Sequence, residues 1–329
     1  MKATMRRHPA GIVVALLLAV FVGPLLAEAQ QARRPYRVGV LHEAYVPNIP
    51  QVDGLKAGLK AMALEEGRDL TYDIRFSRGD PAALGPAAAE LVRGGFDVLF
   101  AADEEATRVM KGATQTTPIV FVRVGDPVAA GLVASIARPG GNVTGVSSLT
   151  TELVPKRLEL LKAIAPGLRR VWAVYHADDH SSVAAAGRAQ EVAALLKLEV
   201  VAQAVRTREE MVGQLRGVRP GDGLLVPTAV ALNIPGLMVN LERANRVPAV
   251  AHSAFWVRAG NVLGYGSDHH ADGVQAARLV AKILRGARPQ DIPVEGANRI
   301  ELAVNLKTAR HLGLTVPRDV LARADHVIE

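Results

Sequence analysis

The chain has 329 residues, no cysteine and a formal net charge of +7. Without cysteine there is no disulfide framework, no thiolate nucleophile and no thiolate metal site. Few aromatics and scattered, unblocked Lys and Arg argue against nucleic acid as a partner, and the length suffices for one or two packed cores.

The first segment, residues 1–29, reads as a secretory signal peptide. Lys2, Arg6 and Arg7 form a basic start, residues 11–26 form an apolar run broken only by Gly23-Pro24, and Ala27-Glu28-Ala29 precedes Gln30. That is the order of a basic region, a short apolar region and a small-residue cleavage site. The run is short for a membrane span, which needs roughly 20 apolar residues. No later stretch of the sequence is long and apolar enough to span either. Cleavage would leave a modest positive charge. With no cysteine to carry a lipid, a freely diffusing periplasmic protein is expected.

Beyond the signal, short β-branched runs alternate with alanine-rich helical segments. Strands are expected at 36–41, 70–76, 97–101 and 119–122, with helices at 52–65, 81–93 and 104–113 between and after them. After 142–147 the alternation restarts. Helices follow at 154–164, 182–196, 208–217, 234–246 and 272–284, and strands at 171–175, 198–202, 223–226 and 249–251. Such alternation with apolar strands predicts an α/β fold of parallel sheets covered by helices on both faces. The number of strands exceeds one ordinary sheet, so two lobes are expected.

Ligands of open parallel sheets bind outside the carboxyl ends of the strands. Those ends carry polar and aromatic residues: His42-Glu43-Ala44-Tyr45, Asp103-Glu104, Gly125-Asp126-Pro127, His176-Ala177-Asp178-Asp179, Pro227-Thr228, His252-Ser253 and Tyr265-Gly266-Ser267-Asp268. Any one could be polar simply because loops reach water; as a set they predict a binding cleft. There is no G-x-S-x-G elbow, no Walker loop and no G-x-G-x-x-G after the first strand. Gly140-Gly141 lies in a connection and reads as a turn. His176 and His180 with Asp178 and Asp179 could converge on zinc, but the segment reads better as a loop opening a helix, with Asp and Ser182 as caps. Asp268 reads as the cap of the 272–284 helix, with His269 and His270 exposed. The carboxylates without a nucleophile or cofactor loop suit recognition of a cationic group.

Two stretches are distinctive: 118–145, which contains Arg123-Val124-Gly125-Asp126-Pro127 and Arg138-Pro139-Gly140-Gly141-Asn142, and 300–325, which contains Asn305-Leu306-Lys307 and Leu321-Ala322-Arg323-Ala324-Asp325. Both resemble the ABC transporter substrate-binding protein family that includes tryptophan- and phenylalanine-binding members. The resemblance extends through Glu66-Gly67-Arg68-Asp69-Leu70-Thr71, Gly79-Asp80, 89–92 and 156–161, spanning about 36–329. It implies a type I periplasmic binding fold: two Rossmann-like lobes joined by three crossovers, near Ser147-Ser148, Val262-Leu263 and Pro289. One lobe would comprise 36–147 and 263–289, and the other 148–262 and 290–329.

The resemblance implies a solute-binding component of an ABC importer, not an enzyme, that closes its lobes over a small molecule. It implies no cofactor and no metal, a permease of the inner membrane as partner, and a monomer. The expected ligand is an amino acid or a related amine or aromatic acid. The expected ligand-binding residues are Glu43, Tyr45, Asp103, Glu104, Asp126, Ser148, His176, Thr228, His252, Phe255, Tyr265 and Ser267. Where relatives carry small residues, this chain has Asp103-Glu104-Glu105, and Arg123 stands where an apolar or small residue is usual. The extra carboxylates favour an amine, and Arg123 could clamp a carboxylate bidentately if it faces the cleft. A periplasmic ligand sensor and an exported α/β enzyme are the alternative readings.

Overall fold

The computed structural model describes residues 34–329; the expected signal peptide lies outside them. Five strands open the chain: β1 (Tyr36–His42), β2 (Leu70–Phe76), β3 (Val98–Ala101), β4 (Ile119–Val124) and β5 (Val143–Ser147). Between them run helices α1 (Pro50–Ala61), α2 (Leu84–Arg93) and α3 (Glu104–Ala113). Far along the chain, β11 (Glu295–Gly296) joins them in a six-stranded, all-parallel sheet of order β11-β5-β4-β3-β1-β2. The central strands are buried on both faces, as all-parallel strands under helices must be. Every residue of β3 and β5 is buried, whereas the edge strand β2 alternates with exposed positions.

The second sheet has seven strands in the order β13-β12-β10-β9-β8-β6-β7. They are β6 (Arg170–His176), β7 (Glu199–Val205), β8 (Asp222–Leu225), β9 (Ala249–Ala251), β10 (Leu263–Ser267), β12 (Ile300–Asn305) and β13 (His326–Ile328). All its pairs are parallel except β10 with β12, which is antiparallel. Helices α4 (Val154–Ile164), α5 (His180–Ala193), α6 (Arg208–Leu215), α7 (Pro235–Asn245), α8 (Ala254–Ala259), α10 (Leu306–Leu312) and α11 (Arg318–Leu321) belong to this half. Among the described residues no helix is long and apolar enough to cross a membrane.

The remaining helix, α9 (His269–Leu284), follows β10 but packs on the first sheet. Ala276, Leu279, Val280 and Ile283 share a core with Val38, Leu55, Leu59 and Phe100. Glycines bring α9 and α1 into backbone contact: a Cβ on Gly54 would lie 2.0 Å from the His270 carbonyl oxygen, and one on Gly273 2.1 Å from that of Gln51. No larger residue fits either place.

Sheet membership moves two of the expected lobe boundaries. The chain leaves the first sheet after Ser147. It returns after Ser267 and not after Val262, because β10 pairs with β9 and β12 of the second sheet. It leaves for the last time between Gly296 and Ile300 and not at Pro289, because β11 pairs with β5 of the first. An apolar strand reads the same whichever sheet it joins, so the sequence pattern could not place β10. Arg157 ties the first two crossovers together. Its guanidinium donates to the Thr150 carbonyl at 2.9 Å and to the Tyr265 carbonyl at 2.7 Å, and the residue is buried.

Candidate functional site: the cleft between the sheets

The carboxyl ends of β1, β3 and β4 face those of β6, β8 and β9 across a cleft. From the first lobe, Glu43 follows β1. Asp103 follows β3 and caps α3, its carboxylate accepting from the Ala106 N–H at 2.8 Å and the Glu43 N–H at 2.9 Å. A side-chain oxygen at that position satisfies a helix-terminal N–H that would otherwise be orphaned. Glu104 is the first helical residue after the cap. Arg123 sits near the end of β4, where the register with β5 breaks between Phe121 and Val124, and its φ is +58°. That left-handed kink is rare for a residue with a side chain and marks imposed strain. Together with Gly125, Ser148, Thr228, His252, Ser267 and His269, these residues line the inner cleft, a space of about 30 Å3. An outer cavity of about 480 Å3 continues from it, bounded by Glu43, Glu104, Glu105, His176, Asp178 and Asp179 with Pro81 and 229–231.

Hydrogen bonds bridge the two sides of the cleft. Glu104 accepts a hydrogen bond from the Ser181 hydroxyl and, at 3.1 Å, one from the His180 backbone N–H. Its carboxylate therefore occupies the N-terminus of α5, where backbone N–H groups and the helix dipole favour an anion. The Ser181 oxygen in turn accepts from the Gly125 N–H at 2.9 Å. At the mouth, the Arg208 guanidinium donates to the Tyr45 hydroxyl at 2.6 Å and lies over its ring.

Carboxylates crowd this space. Burial, with Asp103 second, pushes the Glu43 carboxyl up to about 9; the residue is 6 % exposed and its carboxylate has no partner among the described residues. Burial, then Asp179, raises Glu104 to about 7 against the opposing bonds from Ser181 and His180. Burial also raises Asp103 and Asp179. Desolvation disfavours a charge wherever no opposite charge compensates it. Arg123 is the cation these groups share: it lowers Glu43 and Asp103, and it helps burial hold His252 and His269 neutral. Even so, its guanidinium makes no hydrogen bond or ion pair with the described residues.

Residues 40–328 match the model of the family described as ABC transporter substrate binding protein. The chain belongs to that family. A tyrosine-binding protein from Clostridioides difficile is 27% identical over 272 residues, covering 80% of this chain and 78% of its own. A conserved domain protein from Vibrio cholerae superposes with a TM-score of 0.82 at 31% identity, covering 89% of this chain and 100% of its own. An ABC domain in complex with L-Trp from Streptococcus pneumoniae superposes at 0.81 with 26% identity, again over 89% and 100%. The fold is that of type I periplasmic binding proteins.

Within this member of the family, the structure gathers Glu43, Asp103, Glu104, Ser148, Thr228, His252 and Ser267 around the inner cleft and His176 around the outer cavity. Ser267 is committed elsewhere, its hydroxyl donating to Asp272 at 2.7 Å. Tyr45 stands at the mouth as a strap to Arg208 and lines neither space. Three expected residues lie away from the cavities. Asp126 closes its own turn, accepting from the Val128 and Ala129 N–H groups at 3.1 and 2.9 Å. Phe255 is 52 % exposed on α8, edge-on to Trp256. Tyr265 packs on the core under β10 and offers only its carbonyl, to Arg157.

Sequence reading missed Ser181 and the cleft-facing position of His269, which was expected to be merely exposed. Ser181 had a signal: it is the second residue after the Asp179 cap, at a helix start aimed into the cleft. Asp179 and Asp268 cap α5 and α9 as expected, accepting from Ser182 and from His270 and Ala271. The polar atoms of His176 are spent locally, on the Arg206 carbonyl and the Asp178 N–H.

Proposed function

We propose that this chain is the solute-binding component of an ABC importer, acting outside the cytoplasm, and that it traps a small zwitterionic compound of the amino-acid type by hinge closure. One observation carries the reading. The guanidinium of Arg123 and the buried carboxyl of Glu43 line one cleft between the lobes, and neither has a hydrogen-bond or ion-pair partner among the described residues. An unpaired guanidinium, and a buried carboxyl kept protonated for want of a counter-ion, stay unsatisfied unless a ligand completes them. A carboxylate on Arg123 and an ammonium on Glu43 would do so with charge-assisted bonds. The relatives described as tyrosine-binding and as bound to L-Trp support an amino acid as the class.

Closure follows from the same geometry. A ligand that touches both lobes only when they are shut favours the shut state by its differential affinity. The permease would then read that state. The role is binding, with the compound released unchanged.

Native mass spectrometry of the folded protein, followed by denaturation to identify any released compound, and a thermal-shift panel of amino acids test the reading. A ligand at 100 times its Kd should add about 2.7 kcal/mol of stability. Replacing Arg123 by alanine should abolish the shift. A panel without a single shift, from a protein that also releases no compound, would overturn the assignment.

A further inference from the structure

We propose that the ligand's carboxylate is the group that clasps the two lobes together, held by the guanidinium of Arg123 on the first and by the imidazole Nε2–H of His252 on the second. This deepens the amino-acid reading above and rests on it: a free carboxylate becomes the condition for closure.

Arg123 and Glu43 both stand on the first lobe, Arg123 in β4 and Glu43 after β1. A compound held by these two alone touches one lobe. It binds the open and the shut cleft equally and cannot shift the balance between them. Closure needs a contact from the second lobe. Of the polar side chains that the second sheet's strand ends bring to the inner cleft, Ser181 is spent on Glu104 and Gly125, Asp179 caps α5, and Ser267 is spent on Asp272. Thr228 is only half-buried. His252, just after β9, is the buried group left over.

Neither ring nitrogen of His252 makes a hydrogen bond with the described residues, and Nδ1 is sealed from water without a partner. The ring is firmly seated. It meets Trp256 edge-on, with centroids 5.9 Å apart. The backbone behind it is pressed so close to β10 that a Cβ on Gly266 would lie 1.8 Å from the His252 carbonyl oxygen. Burial, then Arg123, keeps the imidazole neutral, so it carries one proton and one lone pair. A buried N–H without an acceptor is rarer in proteins than an unsatisfied acceptor. The proton therefore belongs on Nε2, the nitrogen left to face the cleft, and not on the sealed Nδ1. That makes a second donor beside the guanidinium.

Two donors on opposite walls suit a small monoanion. A carboxylate has two oxygens and about four lone-pair sites, enough for the fork of Arg123 and one N–H from His252 together. A phosphate would bring a second negative charge against Asp103 and Glu104, which burial already raises. The inner cleft, a space of about 30 Å3, takes a compact head group and not a ring.

Isothermal titration of the folded protein with L-tyrosine, L-tryptophan and L-leucine, each as the free acid and as its amide, tests this. The amide removes the charge that both donors recognise. An acid that binds should therefore do so about a hundredfold more tightly than its amide, at about tenfold for each bond to a charged group. His252→Met keeps the length of the side chain without a donor, and the ratio should fall to about tenfold. His252→Gln, whose side-chain nitrogen reaches the place of Nε2, should restore most of the loss. Nitrogen magnetic resonance of the histidine-labelled wild type gives a readout that needs no stable variant beyond His252→Gln for assignment: the His252 ring should be a neutral Nε2–H tautomer. An Nδ1–H tautomer, an acid-to-amide ratio unchanged in His252→Met, or His252→Gln binding no better than His252→Met would each overturn the inference and leave the amino-acid reading standing. Acid and amide binding the wild type alike would overturn the carboxylate contact in both readings. If none of the six compounds binds, both readings fall.

Discussion

The backbone N–H of His180 donates to the carboxylate of Glu104 at 3.1 Å, and the two residues belong to different lobes. With the Ser181 hydroxyl on the same carboxylate, this is the principal polar bridge across the inner cleft. Hydrogen bonds to a charged group contribute about 1.5–3 kcal/mol each. Glu104→Ala should therefore open the ligand-free protein, seen as a larger radius of gyration in small-angle scattering. Glu104→Gln keeps an acceptor and should lie between. If all three proteins scatter alike, the bridge does not set the closed population.

The mouth is strapped by Arg208 on Tyr45. Tyr45→Phe removes the hydroxyl and one hydrogen bond, about 1 kcal/mol, and should speed ligand release roughly fivefold in stopped-flow. Gly79→Ala should do more. Its φ is +77°, and a Cβ there would fall 2.5 Å from the Tyr45 hydroxyl, so the ring must leave its seat. An unaltered release rate in both variants would show that the strap does not limit opening.

Arg157 holds two crossovers through backbone carbonyls. Burial lowers its guanidinium to about 10, so it stays charged at neutral pH. Arg157→Ala strands the carbonyls of Thr150 and Tyr265 and leaves a cavity, which together should cost about 3–5 kcal/mol in urea denaturation. Arg157→Lys, with a single compact head group, should recover only part of this. A loss under 1 kcal/mol in the alanine variant would mean that the crossovers hold without it.

Two kinds of buried group give stability opposite slopes with pH. His252 and His269 are held neutral when folded, so the unfolded chain binds more protons below about pH 6.5 and stability there rises with pH. Glu43 and Glu104 are raised to about 9 and about 7. Between an ordinary value of 4.5 and those values the folded form binds more protons, so their contribution falls as pH rises. Above pH 6.5 the histidine slope is spent and the acids decide: stability of the ligand-free protein should decline from pH 7 to pH 9. Glu43→Gln should flatten that decline. A wild-type curve rising over this interval would contradict the burial of Glu43.

Much of the fold was legible because parallel strands buried on both faces leave apolar runs, and because Asp103, Asp179 and Asp268 announce helix starts. Sheet membership was not legible: the expected boundary put β10 with the first sheet, and it pairs within the second. Neither was the antiparallel β12, since direction leaves no mark on composition. At the site, chain position after a strand selected Glu43, Asp103 and Glu104, which line the cleft, and also Asp126, whose carboxylate folds back on its own turn. Phe255 lies outside both spaces because one turn of α8 decides which way it points. The orientation of Arg123 depends on a single left-handed φ, which sequence does not encode for an arginine.

The helix that completes the first lobe arrives late. Until α9 has been made, the face of β1, β3 and α1 that it covers has no partner, and Val38, Leu55 and Leu59 stay open to water. A nascent chain ending at β5 is therefore a sheet with one bare side, prone to aggregate or to be held by a chaperone. The second lobe waits in the same way for β12. Both sheets are therefore completed only by segments near the end of the chain, and a fragment made of residues 36–147 should remain unfolded in isolation.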